Sequence, residues 1–528
     1  MTISIKKDVK IFFNPMNLSG KKRENSFKLH PNFKLSVLKT YFMINRLGSL
    51  LTFNSRKLFI MALLILSPFS LFAAGGSVPA IGPVRVEFII FGLILLGVAL
   101  FHNQTFWVAV AGLTVLLTFK LIFDPGFHFG EHLFGENSMA EQLMDKGMRQ
   151  GEWGIILNLA GLLLGFAILS KIFEESGVPD ILPKFLPDDW KGPFILLIFV
   201  FILSSFLDNI AAALIGGTIA LVVFKKKVHI GYIAAIVAAS NAGGSGSVVG
   251  DTTTTMMWID GVSAFNVLHG FIAAGVALLF FAWFAAHQQD KYQRIVKDSD
   301  TNVRIDWMKI LSVALILAGA IISNILYDMP ALGVWIAIVI GAAIRPVPWK
   351  EVPGAIKGSV FLLCLVMCAS MMPVEELPDA SWMTAFSLGF LSAVFDNIPL
   401  TKLCLDQGHY DWGMLAYSVG FGGSMIWFGS SAGVAITNKF PEGRNVIEWV
   451  KKGWHVAVAY VIGFFVLYFT MGWQPADNKE HKIINCPVPG CPMAGKHEVS
   501  INSESYNETD YYHFISHNNG TSLCQGTE

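Results

Sequence analysis

The chain has 528 residues, 53% of them hydrophobic and 14% charged, with a formal net charge of zero. Soluble globular chains average about 25% charged residues, so a water-soluble globular domain is excluded, and a balanced charge gives no basic field for nucleic acid. Many windows of bilayer-spanning length, roughly 20 residues, are nearly free of charge, which predicts an all-α, polytopic membrane protein.

Residues 1–57 form a basic lead with twelve Lys/Arg, among them Lys21, Lys22 and Arg23, against Asp8 and Glu24. The apolar run 58–76, LFIMALLILSPFSLFAAGG, has the build of a secretory signal or a first anchor, with Met43 and Met61 as alternative starts. Apolar spans follow near 85–101, 105–123 and 152–172. The next, 193–224, is too long for one straight crossing and too short for two, and it carries Asp208-Asn209 at its centre. Two half-depth arms meeting at the polar pair predict a re-entrant hairpin, which survives in a membrane only when buried in protein or facing water. The span 229–268 is interrupted by SNAGGSGSVVGDTTTTMMW, residues 240–258, whose glycines and hydroxyls break a helix. One span near 266–286 closes the first half.

The second half repeats this order: 307–326, 331–345, 355–372, a hairpin over 381–404, an interrupted span over 411–438, and 453–472. Residues 473–528 make a polar tail, expected on the outer side without regular structure. Of the six cysteines, Cys364, Cys368 and Cys404 fall in apolar segments and Cys486, Cys491 and Cys524 in the tail, which gives no disulfide framework.

Leu203–Ile210 aligns with Leu391–Ile398 at five of eight positions, Asp-Asn included. Gly243-Gly244-Ser245 with Gly250 aligns with Gly422-Gly423-Ser424 with Gly429 at the same spacing. Interrupted segments at corresponding places in two halves are a pointer to a transporter binding site. Residues 85–286 and 307–472 are therefore expected to be two transport repeats. Lys191 and Lys225–Lys227 flank the first hairpin, so both its ends are expected in the cytoplasm, with Arg345, Lys350, Lys439, Arg444, Lys451 and Lys452. Glu375, Glu376, Asp379, Asp406 and Asp411 flank the second, so its ends are expected outside. Five crossings and one hairpin per half invert the second repeat, and the two Asp-Asn tips approach the midplane from opposite sides.

A charged side chain at the centre of a membrane helix costs about 2.5–3.5 kcal/mol. Two in matched places call for a function beyond a helix break. Carboxylates, amides and freed backbone carbonyls are hard oxygen donors, suited to a cation such as Na⁺ or Li⁺. Asp251 is a third acid, and its counterpart is Ser430, so the scaffold is symmetric and the chemistry is not. Carboxylates sharing one low-dielectric site would titrate as a coupled set, and a cation and protons would displace one another.

DNIAAAL, SNAGGSGSVVGDTTTTMMW, DNIPL and GGSMIWFGSSAGVA resemble the D-type bacterial sodium/proton antiporters of the ion-transporter, citrate transporter-like superfamily, over about residues 85–472. The resemblance implies a cation/proton antiporter with no cofactor, sited in the bacterial inner membrane, and it admits a homodimer. Its implied ion-site residues are Asp208, Asn209, Asn241, Asp251, Thr252, Asp396 and Asn397. Gly243, Gly244, Gly422, Gly423, Ser430 and Ser431 would shape the broken helices, with Gly250 and Gly429 added by the repeat. The family carries a proline after its Gly-Gly pair, and residues 245–249 contain none.

A cation-coupled carrier of citrate or another small organic anion is the second expectation. A carboxylate substrate wants helix N-termini and neutral donors, whereas each hairpin tip here offers Asp, and Lys402 is the main basic residue in the motif segments. A third makes the chain a sensor or a membrane anchor for the tail, where Cys486, Cys491 and His497 could bind a metal, although zinc sites more often use C-x₂-C pairs. DTTTT lacks the Walker spacing, and no Ser-His-Asp or metal-hydrolase motif suggests an enzyme.

Overall fold

The computed structural model describes residues 79–101, 104–296 and 304–476, with the backbone alone of 480–485 and 496–501. The basic lead, the signal-like run, Cys486, Cys491 and Cys524 lie outside the described residues, as does the side chain of His497.

The first two helices of the described chain are apolar, Val86–Leu100 (α1) and Thr105–Phe123 (α2), and they pack on each other. The connection that follows, where no element is expected from sequence, folds into Phe129–Phe134 (α3) and Met139–Met144 (α4), the latter opened by a capping box between Ser138 and Glu141. Trp153–Glu174 (α5) and Val178–Phe185 (α6) lead to the polar pair. There the chain forms Lys191–Ser204 (α7), a break over 205–208, and Asn209–Val223 (α8), and the two arms pack together. Ile230–Gly244 (α9), a break over 245–251, and Thr252–Ile259 (α10) make the interrupted helix. Ala264–Leu268 (α11) and Gly270–Tyr292 (α12) end the first half.

The second half runs Trp307–Tyr327 (α13), Pro330–Ile344 (α14), Val352–Ser370 (α15), Trp382–Ser392 (α16), a break over 393–396, Asn397–Gln407 (α17), Trp412–Gly422 (α18), a break over 423–430, Ser431–Lys439 (α19), Val446–Lys452 (α20) and Trp454–Met471 (α21). Among the described residues, six stretches are long and apolar enough to cross a membrane: α2, α5, α11 with α12, α13, α15 and α21. The expected spans 85–101 and 331–345 come out at 15 residues each, near 22 Å of helix. The protein is an all-α, multi-pass membrane protein. The strands among the described residues are Ala80–Ile81 (β1) with Val84–Arg85 (β2), and Glu480–Asn485 (β3) with Lys496–Ile501 (β4), both antiparallel. The second pair lies in the tail, where no regular structure is expected from sequence.

Packing between the halves is matched. α2 packs on α15, and its counterpart α14 packs on α5; α8 packs on α19, and its counterpart α17 packs on α10; α12 packs on α21. Within each half the first arm lies on the first half-helix, α7 on α9 and α16 on α18. The polar connections meet in two groups. One holds Arg85–Glu376 (3.4 Å), Lys146–Asp328 (3.6 Å), Lys402–Glu152 (2.8 Å) and His269–Asp411 (2.6 Å). The other holds Lys309–Glu175 (2.9 Å), Arg345–Asp306 (2.7 Å) and the backbone bond from Val296 N to Val223 O (2.9 Å).

Candidate functional site

The two breaks between helix arms are built alike. Asp208 and Asp396 are the N-caps of α8 and α17, and each carboxylate accepts the backbone N–H two residues on, from Ile210 and from Ile398, both at 3.1 Å. Before each break a serine ties the first arm to the neighbouring half-helix: Ser204 Oγ donates to Ser240 O at 2.5 Å and Ser392 Oγ to Val419 O at 2.6 Å. Gly243 and Gly250 let α9 and its break close on this arm, since a Cβ at these positions would meet the Phe201 and Ser204 carbonyls. Gly422 and Gly429 do the same against the Gly389 and Ala393 carbonyls. Gly244 faces the Asp251 Cβ and Gly423 the Ser430 Cβ, so each glycine also admits the residue that starts the second half-helix.

At those starts the symmetry ends. Ser430, the N-cap of α19, spends its hydroxyl on Gly433 N at 3.2 Å. Asp251, in the same place on α10, makes no cap bond. Its Oδ1 accepts Asn209 Nδ2 at 2.8 Å, and Thr253 lies within hydrogen-bonding reach of the carboxylate, whose Oδ2 is buried without a hydrogen bond of ordinary geometry among the described residues. A buried, unmatched acceptor costs about 1–3 kcal/mol, more when charged, a cost that a proton or a cation on this oxygen would offset.

The sequence-predicted residues come together around it. Asn209 Nδ2 also reaches Asn241 Oδ1 at 3.1 Å, and Asn241 Nδ2 donates to Ser424 Oγ at 2.9 Å in the second break. Asn397 Nδ2 donates to Thr253 Oγ1 at 2.7 Å, which ties the second hairpin to α10. Thr252 Oγ1 stands 3.5 Å from Asp251 Oδ1. Asp251 is within coulombic reach of both Asp208 and Asp396, and Ser431 lies within hydrogen-bonding reach of Asp396. Asn209, Asn241, Asp251 and Asn397 are buried, while Asp208, Asp396 and Thr252 are half-buried.

Two members escape the sequence reading. Thr253 is one of four threonines in a row, and only the register of α10 selects it. Ser424 is visible as the third residue of the repeated Gly-Gly-Ser, but it reads there as scaffold. Lys402, which an anion carrier would need free, is instead buried between Glu152 (2.8 Å) and Asp406 (2.7 Å). Three carboxylates, three amides and several hydroxyls thus converge at four helix N-termini, a set of hard oxygen donors without an available cationic side chain among the described residues of the site.

The sequence profile of the citrate transporter family matches residues 58–422. It takes in both hairpins and the first broken helix and stops at Gly422. Sodium/proton antiporter 1 of Arabidopsis thaliana is 23% identical over 318 residues, 51% of this chain and 55% of that protein. Sodium/proton antiporter 2 of the same plant is 25% identical over 317 residues, 52% of this chain and 73% of that protein. The Na(+)/H(+) antiporter NhaD of Alkalimonas amylolytica is 26% identical over 294 residues, 45% of this chain and 60% of that protein. The chain thus spans between about half and three quarters of the length of these relatives.

Proposed function

The chain belongs to the citrate transporter family, and from that premise we propose that it is a secondary transporter exchanging Na⁺ or Li⁺ for protons. The observation that carries this reading is the occupancy of the four helix N-termini. An N-terminus with free N–H groups attracts an anion. Here Asp208 and Asp396 cap α8 and α17, Asp251 stands at the start of α10, and Ser430 caps α19. The chain's own carboxylates stand at three of the four places a substrate anion would want, two of them as caps. What remains unmatched is an acceptor, Asp251 Oδ2. The antiporter names of the three relatives support the same exchange.

The proposed mechanism follows from shared ligands. A cation on the ionised carboxylates favours their charged form, and protons favour the neutral form, so each displaces the other. Asn209 holds the Asp251 carboxylate, and Asn241 and Asn397 tie the surrounding elements together, with amide oxygens available as further ligands. The repeats 85–286 and 307–472 are proposed to be inverted, with re-entrant hairpins opening to opposite sides, and the matched packing of α2 on α15 and α14 on α5 supports this. Rocking of the two halves around the site would then give alternating access. A bacterial inner membrane is the proposed location.

A carrier of citrate or another small anion is the second reading, favoured by the family's own description. The test is purified protein in proteoliposomes with an internal pH dye, offered Na⁺, Li⁺, K⁺ and citrate separately. Proton movement opposite to Na⁺ or Li⁺ is expected. Sodium flux moving together with citrate, without proton counter-movement, would overturn the reading.

A further inference from the structure

Lys402 sits five residues along α17 from Asn397, and its side chain is 1% exposed. Its ammonium is held on its own helix by Asp406 at 2.7 Å and on a distant element by Glu152, the N-cap of α5, at 2.8 Å. Asp260, which ends α10, and His132 on α3 also lie within its coulombic reach. α10 and α17 pack together, with Thr253 and Asn397 joined at one end and Asp260 near Lys402 at the other. By helical rise that is about 10 Å from the candidate site. The ion pair therefore closes the end of these helices that is flanked by acidic residues.

The fold does not require a lysine here. Carried forward in register, the alignment that matches Asp396 to Asp208 sets Lys402 opposite Leu214 and Asp406 opposite Thr218. The first hairpin thus makes the same arm with an apolar residue at this place. Lys402 also bridges halves, since Glu152 belongs to the first repeat and α17 to the second. If the halves move against each other, this contact is broken or remade, while the Lys402–Asp406 contact travels with its helix.

The geometry points to the Lys402–Glu152 ion pair as the outer gate of the ion path, a latch with no counterpart in the first hairpin. This rests on the transporter reading above, and its test does not depend on which ion is carried. Cys404, buried two residues from Lys402, serves as a native reporter in a variant whose other five cysteines are alanine. A membrane-impermeant maleimide is added to the outside of oriented vesicles. Glu152→Gln keeps the side chain's size and leaves Lys402 with Asp406, so folding is retained. It should raise the labelling rate of Cys404 severalfold. Lys402→Met should do the same, and the double variant should match either single one rather than add to it. A second single-cysteine variant retaining only Cys368, buried on α15 in a separate core cluster, should stay unlabelled with Glu152→Gln. Unchanged Cys404 labelling in both gate variants overturns the proposal. So does Cys368 opening in step with Cys404, which would make the pair a structural tie. Faster Cys404 labelling without any Na⁺/proton exchange by the unsubstituted protein would keep the gate and overturn the ion assignment instead.

Discussion

The asymmetry of the proposed site rests on one position in each half. Asp251 and Ser430 occupy the same place beside Gly244 and Gly423, yet the serine caps its helix and the aspartate does not. Asp251→Ser should therefore fold, because it gives α10 the cap α19 already has, with a gain of about 1 kcal/mol in helix stability against the loss of the Asn209 bond. Exchange should be lost, and dye-monitored flux from vesicles with matched protein content checks both halves of this expectation. Asp208→Asn and Asp396→Asn should each cripple transport while the protein still inserts, because asparagine caps a helix as well as aspartate and lacks only the ionisable proton. Normal rates in both variants would make these aspartates structural. Since protons and the cation compete for the same carboxylates, apparent Na⁺ affinity should weaken as pH falls from 9 to 6, and initial rates at graded Na⁺ concentrations measure it. Much of this site is legible in the sequence because Asp-Asn recurs in matched apolar surroundings. Thr253 and Ser424 are not, because their partners Asn397 and Asn241 lie 144 and 183 residues away. A hydroxyl in an apolar run gives no sign of so distant a contact.

Each half-helix pair works only if backbone approaches backbone at its break. A Cβ on Gly429 would stand 2.5 Å from the Ala393 carbonyl oxygen, a group fixed by its own helix end. Gly429→Ala should accordingly lower thermal stability by about 1–3 kcal/mol, read as a drop in Tm in detergent. Gly275→Ala, where a Cβ meets nothing within 4 Å, should leave Tm the same or slightly higher, since alanine favours a helix over glycine. The helix breaks are where the sequence places them, because Gly, Ser and Asp-Asn interrupt runs that otherwise have no reason to stop. Helices α3 and α4 are not foreseen, since a polar connection with Gly and Asn reads as loop. Their order comes from contacts across the chain: Gln142 is wholly buried, its Nε2 donating to the Phe134 and Asn137 carbonyls and its Oε1 accepting the Trp153 indole N–H.

Across the whole molecule, ion pairs tie the connections of one half to those of the other, Arg85 to Glu376 and Lys309 to Glu175 among them, while the side on which each connection lies is an expectation from the basic and acidic flanks of the hairpins. A cysteine at Lys226 should react with an impermeant reagent only from the cytoplasm, and one at Glu376 only from outside. Equal labelling from one side would end the inverted-repeat arrangement. Sequence charge foretells such sidedness because Lys and Arg near helix ends bias insertion. It leaves the pairing of particular charges open, so Lys402, read alone, looks like a residue for an anion when it is already neutralised by Glu152 and Asp406.

The unequal starts of α10 and α19 also bear on what drives the exchange. Two matched aspartates and Asp251 give the proposed site room for up to three protons, whereas a second serine at position 251 would leave room for two. When one Na⁺ is traded for more than one proton, each cycle moves net charge across the bilayer. Each such charge is worth about 2.3 kcal/mol per 100 mV of membrane potential. The carboxylate that leaves α10 uncapped would in that case couple the carrier to voltage, and its removal would shift the potential at which net flux reverses.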